Sequence, residues 1–308
     1  MFNYIIKNLL YTILILFGVV TVTFSLLYVV PGDPARIMLG QRADVASVDA
    51  VREELGLNKP LYVQYGLFIS KAVRGDLGRS YATNRDVVKT ILEKFPATAL
   101  LAFSALILSS IIGIMIGIIS AVKSYSALDN ASMIFALIGI SFPQFAFGLI
   151  MALVFGFLLK WFPISGYISE GFSYLILPMV TLALRPLAII ARITRSAMLD
   201  ALGQDYVRTA KAKGLSYNKI IFKHTLRNAL NPIVTTISTS LAATLGGAYF
   251  IEYIFNWPGI GLLAFDSILK LDFPMIQGTV LFSAVVFVVI NFFVDILYAV
   301  LDPKIKLA

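Results

Sequence analysis

The residue types that most often perform catalysis occur in this chain without the spacing that catalysis needs. The sequence has no Cys and a single His, His224, which excludes a thiolate or multi-histidine metal site. It has no G-x-x-x-x-G-K-[ST] loop to hold the phosphates of ATP. Neither a G-x-S-x-G motif nor a pair of carboxylates lies in an apolar span. We therefore predict that the chain is not an enzyme and carries no catalytic, metal-binding or cofactor-binding residues.

The chemistry that the sequence does offer is docking, in the basic segment QDYVRTAKAKGL at residues 204–215. A short helix is predicted from Asp205 to Lys213, ending at Gly214, because glycine adopts the left-handed conformation beyond a helix end without steric cost. Ser216 is a favourable N-cap for a second helix that runs towards Asn231. The segment separates two long apolar spans, so it lies in water beside a bilayer, where a soluble partner can bind it.

Polar residues and glycines inside the apolar spans are the second lead. A charge in hydrocarbon is costly and usually faces protein or a water-filled path. Arg185 could therefore pair with a buried acid, or line a pathway and favour a ligand carboxylate. Asp295 is the main acid placed deep in a span, whereas a stand-alone ion-coupled carrier is expected to have several. Gly246 and Gly247 could serve either close helix packing or bending at a gate.

The composition explains why these residues need apolar helices to position them. Of the 308 residues, 59% are hydrophobic and 14% are charged, which is typical of an integral membrane protein. About 20 apolar residues cross the hydrocarbon core, and the sequence contains six such spans. They cover Leu9–Val30, Phe95–Val122, Ala131–Leu159, Gly171–Met198, Ala229–Ile251 and Phe273–Leu301. We predict an all-α membrane protein with six transmembrane helices.

The positive charges predict the orientation of these helices. Eight Lys and Arg residues lie between Arg192 and Arg227, whereas two other short loops hold only Lys160 and Lys270. Because Lys and Arg in short loops favour the cytoplasmic side, both termini are predicted to be cytoplasmic. The net charge of +8 is accounted for in this way, so no nucleic-acid partner is expected.

The chain divides into two parts. Residues 1–94 comprise the first transmembrane helix and a long extracytoplasmic loop, in which short helices are predicted from Ser47, as N-cap, to Leu55 and from Pro60 to Arg74. Residues 95–302 comprise a core of five transmembrane helices, with the docking segment inside a cytoplasmic loop at 199–230.

Several motifs in order resemble the B-type permease subunit of the dipeptide, oligopeptide and nickel branch of binding-protein-dependent ABC importers. In the docking segment, Arg208-Thr209-Ala210 stand where the wider family has Glu-Ala-Ala, and the whole segment is similar to the variant of this branch. The other matching motifs, which together extend over nearly the whole chain, are VPGDP at 30–34, ELGL at 54–57, QY at 64–65, GDLG at 75–78, TRSAML at 194–199, FNWPGIG at 255–261 and LDPK at 301–304.

The resemblance implies a type I ABC importer permease fold in the cell inner membrane. It implies coupling to ATPase subunits through Asp205, Tyr206, Arg208, Thr209, Ala210, Lys211, Gly214 and Leu215, with Arg185, Gly246 and Gly247 as candidate pathway or gate residues. The implied partners are a homologous C-type permease, two ABC ATPases that bind ATP and Mg²⁺, and an extracytoplasmic binding protein. The implied substrates are dipeptides or oligopeptides. Nickel complexes, glutathione or other small solutes are the alternatives, and a stand-alone ion-coupled carrier is a more distant one.

Overall fold

A computed structural model of the chain describes residues 2–29, 35, 45–54 and 56–301, most of them in helices. Residues 30–34, 55 and 302–304, which belong to the predicted motifs and helices, lie outside this description. The α-helices are α1 Phe2–Val29, α2 Val45–Glu54, α3 Leu61–Val73, α4 Val87–Val122, α5 Ala127–Ser141, α6 Gln144–Met151, α7 Ser173–Leu202, α8 Asp205–Ala212, α9 Arg227–Gly247, α10 Tyr249–Ile254, α11 Ile260–Leu269 and α12 Phe273–Leu301. Wider π-type turns extend α6 through Ala152–Leu158 and precede α9 at Lys219–Leu226. A 3-10 turn covers Ile168–Glu170.

The all-helical prediction is confirmed, and three of the predicted spans correspond to single long apolar helices. Within the described residues, Val87–Val122, Ser173–Leu202 and Phe273–Val294 are long and apolar enough to cross a membrane. They match the second, fourth and sixth predicted spans. In α1, the first predicted span, the stretch with described side chains, Leu9–Ser25, is apolar but shorter. Helix α4 begins at Val87, so it crosses the boundary predicted at residue 94.

The third predicted span, Ala131–Leu159, is not one continuous helix. It consists of α5 and of α6 with its π-type extension, and the two are bent by 104° at Phe142–Pro143. Phe142 has an extended backbone, with φ −76° and ψ 131°. The ring of a proline disfavours the helical conformation of the residue before it, which is why α5 ends there. The pair counts as a fourth span only if both arms are taken together.

The fifth predicted span, Ala229–Ile251, is also interrupted. It is divided between α9 and α10, with a break at Ala248. Helix α9 is not among the helices apolar enough to qualify as a span on its own, and it carries several Ser and Thr residues. Hydroxyl groups of α9 line one side of a groove that α9 forms with α6 and α7.

The centre of the fold is the packing of α4 against α7, the most extensive helix contact in the described residues. Two glycines of α4 allow this close approach. A Cβ on Gly113 would lie 2.9 Å from the carbonyl oxygen of Leu187, and one on Gly117 would lie 2.5 Å from the Cβ of Thr194. Helices α5 and α9 pack on α7, while α1 and α9 pack on α12. Helix α7 is therefore positioned from several sides at once.

The two predicted short helices of the outer loop are present as α2 and α3. Helix α2 starts at Val45, so Ser47 lies inside it and is not its N-cap. Helix α3 follows Pro60, as predicted, and Gly75 beyond its end has φ +76°. The loop is held to the other end of the chain by buried Asp272. Its carboxylate accepts a 2.9 Å hydrogen bond from the backbone N–H of Tyr81 and a second one from the hydroxyl of Ser80.

Candidate functional site

The docking helix α8 has one buried side and one exposed side. Val207 and Ala210 are buried and pack with Ile220, while Leu202 and Leu215 cover the edges of this small cluster. Ala210 and Leu215, both predicted to contact a partner, thus face their own chain. Their contacts hold α8 against the turn at Lys219–Leu226, which fixes the direction in which the opposite side points.

The opposite side of α8 is polar and accessible. Five predicted docking residues of α8 are exposed, opposite the buried side or at its flanks, namely Asp205, Tyr206, Arg208, Thr209 and Lys211. Arg208 lies 3.5 Å from Asp205, but both side chains are so exposed, at 79% and 95%, that water and salt weaken this pair. Because this pair is weak, both side chains remain able to bind charges on a partner instead.

Gly214 ends the helix in a complete Schellman motif. Its φ is +70°, the left-handed conformation that favours glycine. The backbone N–H of Gly214 donates to the carbonyl oxygen of Lys211 at 2.9 Å, and that of Leu215 donates to Ala210 at 3.3 Å. The apolar contact between Leu215 and the Ala210 cluster completes the motif. The predicted helix stop at Gly214 is confirmed.

The second helix of the element begins as predicted but extends further. Ser216 immediately precedes the first helical residue, and its carbonyl oxygen accepts a 3.1 Å hydrogen bond from the N–H of Ile220. The helical path continues through the π-type turn and α9 to Gly247. This second helix, which follows the Gly214 turn, is therefore continuous with the helix that lines the groove.

A groove of about 450 Å³ lies between α6, α7 and α9. Its polar lining comes from Gln144, Arg185, Thr236, Thr239, Ser240 and Thr244. Arg185 is exposed, and among the described residues no carboxylate lies within ion-pair distance of its guanidinium. Gly246 and Gly247 lie beyond Thr244 at the end of α9, and Gly246 is not part of this lining. Gly246 packs near the ring of Phe287 on α12.

Gln144 is a residue of this groove that the sequence did not single out. Its side-chain amide donates to the carbonyl oxygen of Leu182 at 3.0 Å and lies 3.4 Å from that of Thr181. In a regular helix the Leu182 carbonyl would receive the N–H of residue 186, but Pro186 has none. Gln144 therefore supplies the donor that Pro186 lacks, and this contact fixes the start of α6 against the middle of α7.

A buried ion pair joins α5 to the half of α7 that leads into α8. The side chain of Asp129 is 1% exposed, and it accepts hydrogen bonds from Nε and Nη2 of Arg195 at 2.6 and 2.7 Å. The backbone N–H of Tyr125 donates to the same carboxylate at 2.8 Å, as does the hydroxyl of Ser120. Such a bidentate and fully bonded pair is geometrically specific.

Glu252 is a second buried acid, and it organises the FNWPGIG motif. Its side chain is fully buried, and Oε2 accepts hydrogen bonds from the N–H groups of Gly261 at 2.6 Å and Leu262 at 3.2 Å, at the start of α11. A carboxylate is stabilised at a helix N-terminus by the unpaired N–H groups there. The indole of Trp257 donates to the carbonyl oxygen of Ala97 at 2.8 Å, which fixes the motif to α4.

Asp129 and Glu252 are buried acids that the sequence did not single out. The sequence indicates Asp295 as the main acid placed deep in a span, and this stays a prediction. The side chain of Asp295 lies outside the described residues. Both oxygens of Asp129 are bonded by donors of the chain itself, whereas Glu252 is held through Oε2 and its buried Oε1 has no hydrogen-bond partner among the described residues.

Comparisons with known proteins find similar sequences over nearly the whole chain. Residues 113–307 match the family described as the binding-protein-dependent transport system inner membrane component, and residues 1–102 match the family described as the N-terminal part of such membrane components. The glutathione transport system permease protein GsiC of Escherichia coli (strain K12) is 42% identical over 306 residues, covering 99% of each chain. The dipeptide transport system permease protein DppB of Alkalihalophilus pseudofirmus is 41% identical over 332 residues, covering 99% of this chain and 100% of the relative.

One solved structure supports the fold. A chain from the crystal structure of an amino acid ABC transporter with histidines superposes with a TM-score of 0.53, covering 70% of this chain and 94% of that one. The sequence identity is 14%, so the similarity concerns the fold alone.

Proposed function

The chain belongs to the family of binding-protein-dependent transport system inner membrane components, as a permease of an ABC importer, and we propose that it forms one half of a translocation pathway for short peptides. The observation that carries this proposal is the similarity to two permeases, one named for glutathione and one for dipeptides, over 99% of the chain. Both names refer to short peptides, which favours this substrate class over nickel complexes or other small solutes.

We further propose six membrane crossings in a type I fold, with both termini in the cytoplasm. The crossings would be α1, α4, the bent pair of α5 and α6, α7, α9 with α10, and α12. The excess of Lys and Arg between Arg192 and Arg227 supports this orientation. It places α8 on the cytoplasmic side of the inner membrane, where ATP is available.

The exposed side of α8 is proposed to dock onto an ATPase subunit. Because the sequence has no phosphate-binding loop, ATP and Mg²⁺ would bind to two partner ATPases. Asp205, Arg208 and Lys211 offer charges of both signs to such a partner. The continuous helical path from Tyr217 to Gly247 would carry a movement of α8 towards the groove. A homologous permease would supply the other half of the pathway, and an extracytoplasmic binding protein would deliver the peptide.

Arg185, Gly246 and Gly247 remain our candidates for the pathway and its gate. The exposure of Arg185 in the groove supports a pathway role. The end of α9 at Gly247, just before the break at Ala248, supports a bending point there. A ligand-dependent change of this kind requires two states that ATP and the binding protein stabilise differently.

Purification of the assembly and reconstituted uptake together test the proposal. The chain, tagged at its chromosomal locus and isolated in mild detergent, should carry with it a second permease and two proteins with phosphate-binding loops. Uptake of a labelled dipeptide or glutathione into proteoliposomes should require ATP inside and the binding protein outside. Recovery of the chain alone, with uptake that an ion gradient drives without ATP, would instead establish a stand-alone carrier.

A further inference from the structure

The groove between α6, α7 and α9 has an uneven distribution of charge. Among the residues that the structure describes, its lining includes one positively charged residue, Arg185, and no Asp or Glu. Arg185 has no hydrogen-bonded or ion-pair partner among the residues that the structure describes. A guanidinium in a membrane helix is costly unless it meets water or an anion. The groove therefore offers a free, forked donor that suits a carboxylate.

The hydroxyl groups of α9 add acceptors to this donor. Thr236 donates its hydroxyl hydrogen to the carbonyl oxygen of Pro232 at 2.8 Å, and Thr244 donates to that of Ser240 at 2.6 Å. The hydroxyl of Thr239 lies 3.1 Å from the carbonyl oxygens of both Thr235 and Thr236. Because these hydrogens are already committed to the helix backbone, the oxygens are left to accept hydrogen bonds from a ligand.

The positions of these groups are fixed by the chain. Gln144 donates to the carbonyl oxygen that Pro186 leaves without a partner, which ties α6 to α7 next to Arg185. Arg185 directly precedes Pro186, so this contact restricts the part of α7 that carries the guanidinium. Two of the three helices that form the groove are thus tied together by the chain itself.

We propose that this groove is a subsite for the C-terminal carboxylate of a short peptide, with Arg185 binding the carboxylate and the hydroxyl oxygens of α9 accepting from peptide N–H groups. The proposal rests on the proposed function as a peptide permease. It adds a chemical selectivity to the membrane part of the importer: peptides with a free carboxylate are favoured over the same peptides with a C-terminal amide.

The test uses the complete importer in proteoliposomes, with a labelled dipeptide and its C-terminal amide as probes. At saturating binding protein, the wild type should take up the free dipeptide faster than the amide. Arg185→Gln should lower uptake of the free dipeptide roughly ten-fold, the lower end of what a charged hydrogen bond contributes, and leave uptake of the amide nearly unchanged. Arg185→Lys should give an intermediate preference because it keeps the charge but loses the fork.

Arg192→Gln is the matched control. Arg192 is exposed on the same helix, two turns further along, and does not line the groove. If Arg185→Gln and Arg192→Gln lose uptake of the free dipeptide equally, the effect of Arg185 is general electrostatics and not a subsite. If Arg185→Gln still prefers the free dipeptide over its amide as the wild type does, the proposal is wrong. If Arg185→Gln does not reach the membrane, the Arg185→Lys comparison decides. Failure of the proposed function is distinct, because the wild type would then take up neither probe with ATP and the binding protein present.

Discussion

Substitution of Gly214 gives a sharp test of coupling, because the structure separates the steric cost of a side chain from its conformational cost. A Cβ at this position would meet no heavy atom of the chain within 4 Å, so no internal clash is expected. The remaining cost is conformational, since φ is +70°. For an L-residue the left-handed conformation costs about 1–2 kcal/mol. That would lower the population of the observed turn roughly 5- to 30-fold relative to other conformations.

Three replacements, Gly214→Ala, Gly214→Asn and Gly214→Trp, distinguish conformation from contact with a partner. Asn tolerates the left-handed conformation better than Ala does, but it is larger. We expect the loss of coupled transport to increase with size, from Ala through Asn to Trp, because Gly214 ends the helix whose exposed side is proposed to dock onto the ATPase, and a larger side chain there would obstruct the partner. Greater activity of Gly214→Asn than of Gly214→Ala would show instead that the turn conformation dominates.

The assay compares three quantities in each variant: membrane insertion, recovery of ATPase subunits during purification, and ATP-dependent uptake with the binding protein. Gly203→Ala serves as the control. Gly203 lies at the other end of α8, has an ordinary helical φ of −76°, and would place a Cβ at 3.6 Å from its nearest neighbour. It should behave as the wild type. Normal assembly and normal uptake in Gly214→Trp would refute the assignment of this turn to coupling.

Three further predictions concern stability. Asp129→Asn should lower the free energy of unfolding in mild detergent by about 2–4 kcal/mol, because Arg195 loses its buried counter-charge. An unchanged free energy of unfolding would show that the ion pair is not needed for stability. Gly117→Ala should lower the free energy of unfolding by about 1–3 kcal/mol through overpacking, because its Cβ would lie 2.7 Å from the carbonyl oxygen of Ala191. In the control Gly18→Ala the Cβ meets nothing within 4 Å, so thermal unfolding should be unchanged. Burial, and secondly the charge of Asp272, raise the pKa of Tyr81 from 10.0 to about 12. The stability that the neutral phenol contributes should be complete below pH 10 and be lost as the pH rises towards 12. Unfolding measured from pH 9 to 12 should therefore show a larger loss in the wild type than in Tyr81→Phe.

The parts of the fold that the sequence predicted are those governed by local chemistry. Gly214 ends α8 because a left-handed residue is needed within a few residues of Ala210, and glycine at that spacing is a direct signal. The long apolar helices α4, α7 and α12 were equally clear from composition. The bend at Pro143 could have been predicted too, because proline restricts the residue before it.

The parts that the sequence did not predict depend on partners far apart along the chain. Asp129 and Arg195 are 66 residues apart, and Gln144 bonds to a carbonyl 38 residues away. Glu252 follows the fifth predicted span and gave no sign that α11 would fold back over it. The inward orientation of Ala210 was missed because the docking segment was considered as a linear motif, whereas its helical periodicity places Val207 and Ala210 on one side.

The ion pair between Asp129 and Arg195 also constrains how the chain enters the membrane during synthesis. Asp129 is made well before Arg195, so for a time the hairpin of α4 and α5 must exist without its cation. Ser120 and the backbone N–H of Tyr125, both on that hairpin, can already donate hydrogen bonds to the carboxylate. These bonds reduce the energetic cost of a buried carboxylate that has no counter-charge. The arrival of α7 then completes the site and joins the hairpin to the segment that precedes α8. Biogenesis would thus have a built-in order, in which α7 is joined to this hairpin only after the hairpin has been inserted.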